Sequence, residues 1–210
     1  MKGSIFSALI IVLGFSCNEK EQINSNKLNF CKVTRCVFEN ADTSYILNYT
    51  WTENIQNSSD GSINEYNNYG SVTKNIQAAD TFIYEYEDCK NYCKMTKQIH
   101  KSLDTTYVIN FTWVGDTQKL EDNILAIYNS NGYLLKSYRG MLPVTYNYED
   151  CETFCKMISK SVHNSQITYD WEGNTQKGSD GSIFEYNERG YLLRSSEYGN
   201  TYIYTYQNCN

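Results

Sequence analysis

Cysteine is the residue type in this sequence with the most reactive chemistry, and the 210-residue chain contains eight of them. Thiols form disulfides, bind zinc as thiolates or act as nucleophiles. So many cysteines fit an oxidising compartment, because thiols are kept reduced in the cytosol. The spacings Cys89-x3-Cys93 and Cys151-x3-Cys155 differ from the Cys-x2-Cys of zinc sites. We therefore expect disulfides and no bound metal.

Two pairing schemes are open for the seven cysteines that follow Cys17. The long-range scheme pairs Cys36–Cys89, Cys93–Cys151 and Cys155–Cys209 and leaves Cys31 unpaired. The short-range scheme pairs Cys31–Cys36, Cys89–Cys93 and Cys151–Cys155 and leaves Cys209 unpaired. A bridge that closes roughly 55 residues restricts the unfolded chain by about 4 kcal/mol, against about 2 kcal/mol for a loop of four or five residues. This difference favours the long-range scheme.

The two histidines and the recurring glutamates give little support for catalysis. His100 and His163 lie in segments of variable length, and no serine or aspartate recurs beside them as a triad requires. Glu65 and Glu185 resemble a glycosidase pair in residue type only, because Ile127 occupies the same position in the middle of the chain. We expect no catalytic site and no cofactor.

Three aspartates recur at equal spacing, and calcium binding is the chemistry to consider for them. Asp60, Asp122 and Asp180 follow polar residues, and a glycine or asparagine comes directly after each. A calcium loop requires alternating oxygen ligands and a closing bidentate glutamate, which these segments lack. Asp-Gly and Asp-Asn are typical of tight turns, so we interpret the three aspartates as turn residues.

Tyrosine is over-represented, with 20 residues in the chain. Six of them form pairs two residues apart, which places both members on one face of a strand. Aromatic side chains either pack sheet faces or dominate binding surfaces, and both interpretations are open here. The candidate binding surface consists of Tyr84, Tyr86, Tyr146, Tyr148, Tyr204 and Tyr206.

These residues belong to an internal repeat that the three tryptophans mark. Counted from Trp51, Trp113 or Trp171, a tyrosine follows after 15 residues, a glycine after 19 and a cysteine after 38, with no gap in any copy. Only the segment before each tryptophan varies in length. We divide the chain into a signal peptide (1–16), a linker (17–30) and repeats at 31–89, 90–151 and 152–210.

Each repeat predicts four antiparallel strands. Leu47, Tyr49 and Trp51 alternate on one face of the first strand. Ser62–Tyr66 is the second strand, an Asn-x-x-Gly turn leads to the third, and residues 201–206 show the fourth in the last copy. The connectors, such as 89–100, are expected to form one or two helical turns. The predicted fold class is all-β: an elongated array of three tandem four-stranded meanders with short cysteine-containing connectors.

The N-terminus resembles the signal of bacterial lipoproteins, in the looser form found in Bacteroidetes. Lys2 precedes an apolar stretch from Ile5 to Phe15, and the small residue Ser16 leads into Cys17 and a polar run. Gly14 occupies the place of the usual leucine. The resemblance implies cleavage before Cys17, acylation of Cys17 and attachment to the outer membrane or cell surface. An ordinary cleaved secretion signal is the alternative.

The second half of each repeat resembles the YD (Rhs-type) repeat. The third copy has Tyr186-Asn-Glu-Arg-Gly190-Tyr-Leu192 followed by Tyr204-Thr-Tyr206, where the family has Tyr-Asp-x-x-Gly-Arg-Leu followed by Tyr-x-Tyr. Asparagine replaces the aspartate, and a tryptophan strand and a cysteine connector interrupt the tandem. The resemblance implies β-hairpins and an envelope setting. It does not imply the toxin-enclosing shell of larger members, because three copies are too few.

Charge and composition further limit the possible functions of the protein. The formal net charge is −6, and no cluster of basic residues offers the cationic surface that nucleic acid requires. We expect a non-enzymatic lipoprotein of the cell envelope that binds or scaffolds an unknown protein or glycan and contacts the membrane through its lipid. A secreted hydrolase or hydrolase inhibitor and a glycan-binding module are the alternatives.

Overall fold

The computed structural model describes residues 30–89, 92–121, 123–139, 142–151 and 154–208. Its regular structure consists of 18 β-strands, which confirms the all-β prediction. No described residue belongs to a helix, so none contributes to a helix able to cross a membrane. The predicted signal peptide, the predicted lipidation site Cys17 and most of the linker lie outside the described residues.

Each repeat contributes six strands rather than the four expected. The strands of the first repeat are β1 (Lys32–Glu39), β2 (Ser44–Thr52), β3 (Ile55–Ser58), β4 (Ile63–Tyr66), β5 (Val72–Gln77) and β6 (Asp80–Glu87). Those of the second are β7 (Lys94–Lys101), β8 (Thr106–Val114), β9 (Thr117–Leu120), β10 (Asn123–Tyr128), β11 (Leu134–Arg139) and β12 (Leu142–Glu149). Those of the third are β13 (Lys156–Val162), β14 (Ser165–Glu172), β15 (Thr175–Gly178), β16 (Ile183–Tyr186), β17 (Leu192–Glu197) and β18 (Asn200–Gln207).

The two strands that the prediction missed in each repeat have clear physical origins. β3 is a polar four-residue strand, Ile-Gln-Asn-Ser, which the sequence analysis assigned to a loop. The connector was expected to be helical, but β7 pairs with β6 on one side and with β8 on the other. Those two ladders satisfy its backbone groups, so a helix has no advantage there.

The sheet closes on itself, which contradicts the expected elongated array. Every strand pairs antiparallel with the next, and β1 also pairs with β18, from Lys32 opposite Gln207 to Glu39 opposite Thr201. β1 therefore pairs with β18 in the same way as β7 pairs with β6. As a result, no repeat is an end repeat, and each has two neighbours.

Three long strands divide the closed sheet into three sections. The first half of β8, Thr106–Asn110, pairs with β7, whereas its second half, Phe111–Val114, pairs with β9. β2 and β14 divide their pairing in the same way. Each long strand thus leaves one sheet section and enters the next.

A partly buried backbone carbonyl with two side-chain donors recurs in each repeat; we call this arrangement the carbonyl clamp. In the third repeat, Trp171 Nε1 and Gln176 Nε2 donate to Met157 O at 2.9 and 2.8 Å, and Tyr186 OH donates to Gln176 Oε1 at 3.1 Å. The carbonyl lies at a β-bulge, where the register between β12 and β13 shifts. The other clamps are Trp51 and Gln56 on Val33, and Trp113 and Gln118 on Met95.

The tryptophan ring of each clamp packs in a cluster that explains the recurring glycine. Phe154, Trp171 and Tyr186 have ring centroids 5.4–5.9 Å apart. A Cβ on Gly190 would lie 2.6 Å from Phe154 Cγ, and the backbone of Gly190 has φ +78°. Both facts require glycine at this position. Gly70 under Phe30 and Gly132 under Tyr92 repeat the arrangement.

Asparagine and aspartate side chains cap the turns. Asn187 Oδ1 accepts hydrogen bonds from the backbone N–H groups of Arg189 and Tyr191 at 3.0 and 2.9 Å. Asp180 Oδ1 accepts from Ser182 N at 3.1 Å and Ser182 Oγ at 2.6 Å, and Asp60 does the same with Ser62. Asp60 and Asp180 are thus turn residues, while Asp122 lies outside the described part.

The disulfides contradict the favoured long-range scheme. Cys89 pairs with Cys93 and Cys151 with Cys155, because the chain reverses between successive repeats and brings the Cα atoms of each pair within 3.9 Å. Cys36 is buried and carries a free thiol, so it pairs with neither Cys31 nor Cys89. Cys31 is also disulfide-bonded. Cys209, the counterpart of Cys89 and Cys151, lies outside the described residues.

The carbonyl clamp generates a stability prediction. Gln176 is 1% exposed, so Gln176→Ala removes one of the two donors to Met157 O, leaves Tyr186 OH without its acceptor and opens a cavity. We expect a loss of about 2–4 kcal/mol in the free energy of unfolding, measured by chemical denaturation. Gln166→Ala, an exposed change in the same repeat, is the control and should cost less than about 0.5 kcal/mol. Equal losses for the two variants would contradict the clamp.

The buried tyrosines predict unfolding in alkali. Burial raises the pKa of Tyr66 to about 12 and raises the pKa of Tyr186 as well, from an ordinary value of about 10. Folding then favours the protonated phenol, so this contribution is complete below pH 10 and is lost as the pH rises through the folded pKa values. We expect tyrosinate absorbance and circular dichroism to change together above about pH 10. Ionisation of every tyrosine with the ordinary midpoint near pH 10 while the fold stays intact would contradict the burial.

Candidate functional site

Three of the six predicted site tyrosines serve the fold. Their hydroxyl groups donate to backbone carbonyls at the start of the preceding strand, Tyr86 to Val72 O at 2.7 Å and Tyr206 to Leu192 O at 2.7 Å. Tyr148 donates to Leu134 O at 2.9 Å. Burial raises the pKa of all three phenols. These contacts tie β5 to β6, β11 to β12 and β17 to β18.

The other three predicted tyrosines, Tyr84, Tyr146 and Tyr204, are half-buried on the same sheet face as the clamps. Their cross-strand partners differ, being Gln98, Lys160 and Cys36. Burial raises the pKa of the Cys36 thiol to about 11, so at neutral pH it is protonated and a weak nucleophile. The six tyrosines lie on β6, β12 and β18, one pair in each sheet section.

A partly open row of rings lies further along the same face, beside the β7–β8 loop. Phe82, His100 and Tyr107 are opposite one another on β6, β7 and β8. The rings of Phe82 and His100 stack with centroids 4.4 Å apart and planes 5° apart, and those of His100 and Tyr107 are 6.1 Å and 23° apart. We call these three residues the first aromatic row.

A second aromatic row occupies the equivalent place in the neighbouring sheet section. Tyr202, Phe38 and Tyr45 lie opposite one another on β18, β1 and β2. Their ring centroids are 5.0 and 4.9 Å apart. The equivalent positions of the remaining section hold Val144, Val162 and Ser165. Two of the three sections therefore carry a row of rings.

Both rows end on a ring that is open to solvent. Tyr107 is 59% exposed and Tyr45 is 48% exposed. Each lies in the first half of a long strand, which pairs on one side only within the described part of the chain. Leu103, in the loop beside the first row, is also highly exposed. The outer ring of each row therefore has a face available for a ligand.

The first row also carries polar groups. His100 Nε2 lies 3.0 Å from Asp80 Oδ1, and about half of the Asp80 side chain is exposed. A carboxylate beside a stacked row accepts hydrogen bonds from a hydroxyl-rich ligand while the rings contact its apolar face. This combination favours recognition of a ligand with both an apolar and a hydroxylated surface.

The remaining candidates from the sequence are dispersed. Glu65 pairs with Lys74 at 2.9 Å and Glu185 with Arg194 at 3.3 Å, in different sheet sections. His163 lies in the β13–β14 turn with φ +52°. Within the described ranges, no three histidine, cysteine, aspartate or glutamate side chains cluster as metal ligands.

The aromatic rows were not predicted from the sequence, because their rings do not recur in all three copies. Phe38 and His100 precede a tryptophan by 13 residues and Tyr45 and Tyr107 by 6, but the third copy has Ile158 and Ser165 at these distances. The available signal was alternation, as in Tyr107, Ile109 and Phe111, which share a face of β8. Alternation alone does not show which strand is adjacent.

No protein family model matches the chain, and no curated protein matches it in sequence. The proposal for its function therefore rests on the contacts described above.

Proposed function

We propose that this protein is a non-enzymatic lipoprotein of the cell envelope, whose closed sheet of β-repeats serves as a binding or scaffolding module. The ligand site is the first aromatic row. The observation that carries this proposal is the exposure of Tyr107 at the end of a stacked row of rings.

A packing role does not account for the outer end of this row. A ring that packs a sheet face is covered by its neighbours, as Trp171 and Tyr186 are by Phe154. Tyr107 is instead open to solvent, and Leu103 in the adjacent loop is exposed as well. Exposed apolar surface is costly in water and, where it is extensive, marks interaction sites. Tyrosine is also enriched among the residues that dominate binding energy.

A glycan is the ligand class that the geometry favours, with a protein as the second class. Sugar rings present an apolar face to aromatic rings and hydroxyl groups to neighbouring carboxylates, and the first row offers Tyr107 and Asp80 for these two contacts. The formal net charge is −6 and no basic residues cluster in the sequence, so binding should depend little on salt.

The envelope setting is supported by two independent features. Residues 1–17 resemble a lipoprotein signal, and two described disulfides fit an oxidising compartment. The aspartate that retains some lipoproteins at the inner membrane does not follow Cys17, where Asn18-Glu19 occurs. We therefore propose the outer membrane or cell surface as the location.

The lipid anchor makes the first functional prediction. Wild-type protein should partition into detergent and carry an acyl mass on Cys17, whereas Cys17→Ser should be released or should stall in processing. Intact-mass analysis of both proteins, with protease treatment of whole cells, measures this. An unmodified Cys17 in the mature wild-type protein would refute the anchor.

The ligand site makes the second functional prediction. In a screen of glycans and envelope proteins, Tyr107→Ala should weaken binding about tenfold or more, because each stacked aromatic contact contributes about 1–3 kcal/mol. Tyr198→Ala is the matched control, since Tyr198 is 83% exposed but lies in the β17–β18 turn, away from both rows. Titration by calorimetry gives both affinities.

Three outcomes would count against this site. Equal weakening by Tyr107→Ala and Tyr198→Ala would show that the effect is not specific to the row. Binding that depends on Tyr45 alone would move the site to the second row. Turnover of a ligand that a single acidic substitution abolishes would instead support the secreted hydrolase.

A further inference from the structure

The first half of β8 is an open sheet edge. Its five residues, Thr106–Asn110, are all exposed, and Val108 is 51% exposed. The equivalent residues of β2 and β14 each include a half-buried side chain. In the described part of the chain, β8 is thus the long strand whose first half is least covered.

The register shows which backbone groups of β8 are available. Gly115 and Asp116 form a two-residue turn between Val114 and Thr117, so the N–H and C=O groups of Val114 point towards β9. In an antiparallel ladder the direction of these groups alternates, so those of Val108 and Thr106 also point away from β7. No hydrogen bond from another described residue to these groups is seen.

The equivalent edges of the other two repeats are partly capped at their inner end. Asn48 O accepts from Ser59 N at 2.8 Å, and Ser59 Oγ lies 3.1 Å from Asn48 N. Thr168 makes the same two contacts with Ser179. The edge of β14 is also polar, with Ser165 and Gln166, whereas that of β8 contains Tyr107, Val108 and Ile109.

Within the described residues, the exposed edge of β8 carries none of the usual protection against strand addition. Natural edge strands are shielded by charged residues, proline or a covering segment. Thr-Tyr-Val-Ile-Asn contains no charge and no proline, and its residues have high β-propensity. An uncharged apolar segment of this kind pairs readily with an identical one.

We propose that a second copy of this chain adds its own β8 to this edge, antiparallel and with two-fold symmetry about Val108. In that register Val108 lies opposite the second copy's Val108, and Tyr107 lies opposite the second copy's Ile109. Apolar side chains then meet on both faces, no like charges are opposed, and the free backbone groups of Val108 and Thr106 gain partners. The segment is therefore complementary to itself.

The inference goes beyond ligand binding, because it identifies a homodimer held by the outward backbone groups of β8, although its side-chain contacts include Tyr107 of the first aromatic row. A contact of five residues a side is small, so the dimer should be weak and should depend on concentration. The pairing would place two first aromatic rows side by side across the new strand pair.

Val108→Pro tests the pairing. Proline removes the outward N–H of Val108 and blocks the added strand, while the ladder to β7 keeps its hydrogen bonds because that N–H does not point to β7. The controls are Gln166→Pro and Ile46→Pro, the same change at the equivalent edge positions of β14 and β2. Molar mass is measured for the full chain and each variant by light scattering over a wide range of protein concentration, under the same conditions.

We expect the wild type and both control variants to dimerise as concentration rises and Val108→Pro to stay monomeric. A monomeric wild type at every concentration would overturn the proposal, as would a dimer that Val108→Pro leaves intact or that only Ile46→Pro abolishes. Circular dichroism checks folding. If Val108→Pro does not fold, Val108→Lys replaces it, since two lysines opposite each other oppose the same pairing. Persistence of the dimer in Val108→Lys would overturn the proposal equally.

Discussion

A single backbone carbonyl in each repeat sets the arrangement of the residues around it. Met157 O lies at the bulge in β13, and a partly buried carbonyl without a donor is costly. Trp171 and Gln176 supply two donors, and Gln176 in turn holds the hydroxyl of Tyr186. The tryptophan ring then contacts Phe154, whose own ring lies over Gly190. The tyrosine and glycine spacings that identify the repeat in the sequence are the spacings of this one cluster.

The strands that could be predicted are those with a local pattern in the sequence. β2 and β18 alternate strongly, so their existence and the shared face of Tyr202, Tyr204 and Tyr206 were predictable. β3 is too short and polar, and β7 was assigned to the connector. The pairing of β1 with β18 joins the two ends of the described strands, and no local pattern marks such a pairing. Tertiary context decides these elements.

The disulfide pairing and the candidate site were missed for related reasons. The entropy of the unfolded chain favours disulfides that close long loops. The chain reverses between repeats and places Cys89 beside Cys93, so the distance between the cysteines decides the pairing. The aromatic rows require three strands to be aligned, as Phe82, His100 and Tyr107 are. Comparing the repeats does not reveal that alignment, because the third copy has Ile158 and Ser165 where the first two have rings.

Closure by β1 also determines the order in which the fold can be completed. Lys32 and Gln207 face each other, although they lie near opposite ends of the described chain. Hairpins such as that of β1 and β2 need only local contacts and can form early. The outer side of β1 stays unpaired until β18 emerges, so this ladder depends on a segment made long after β1. Contacts so distant in sequence form slowly, and the partly folded chain exposes this edge in the meantime.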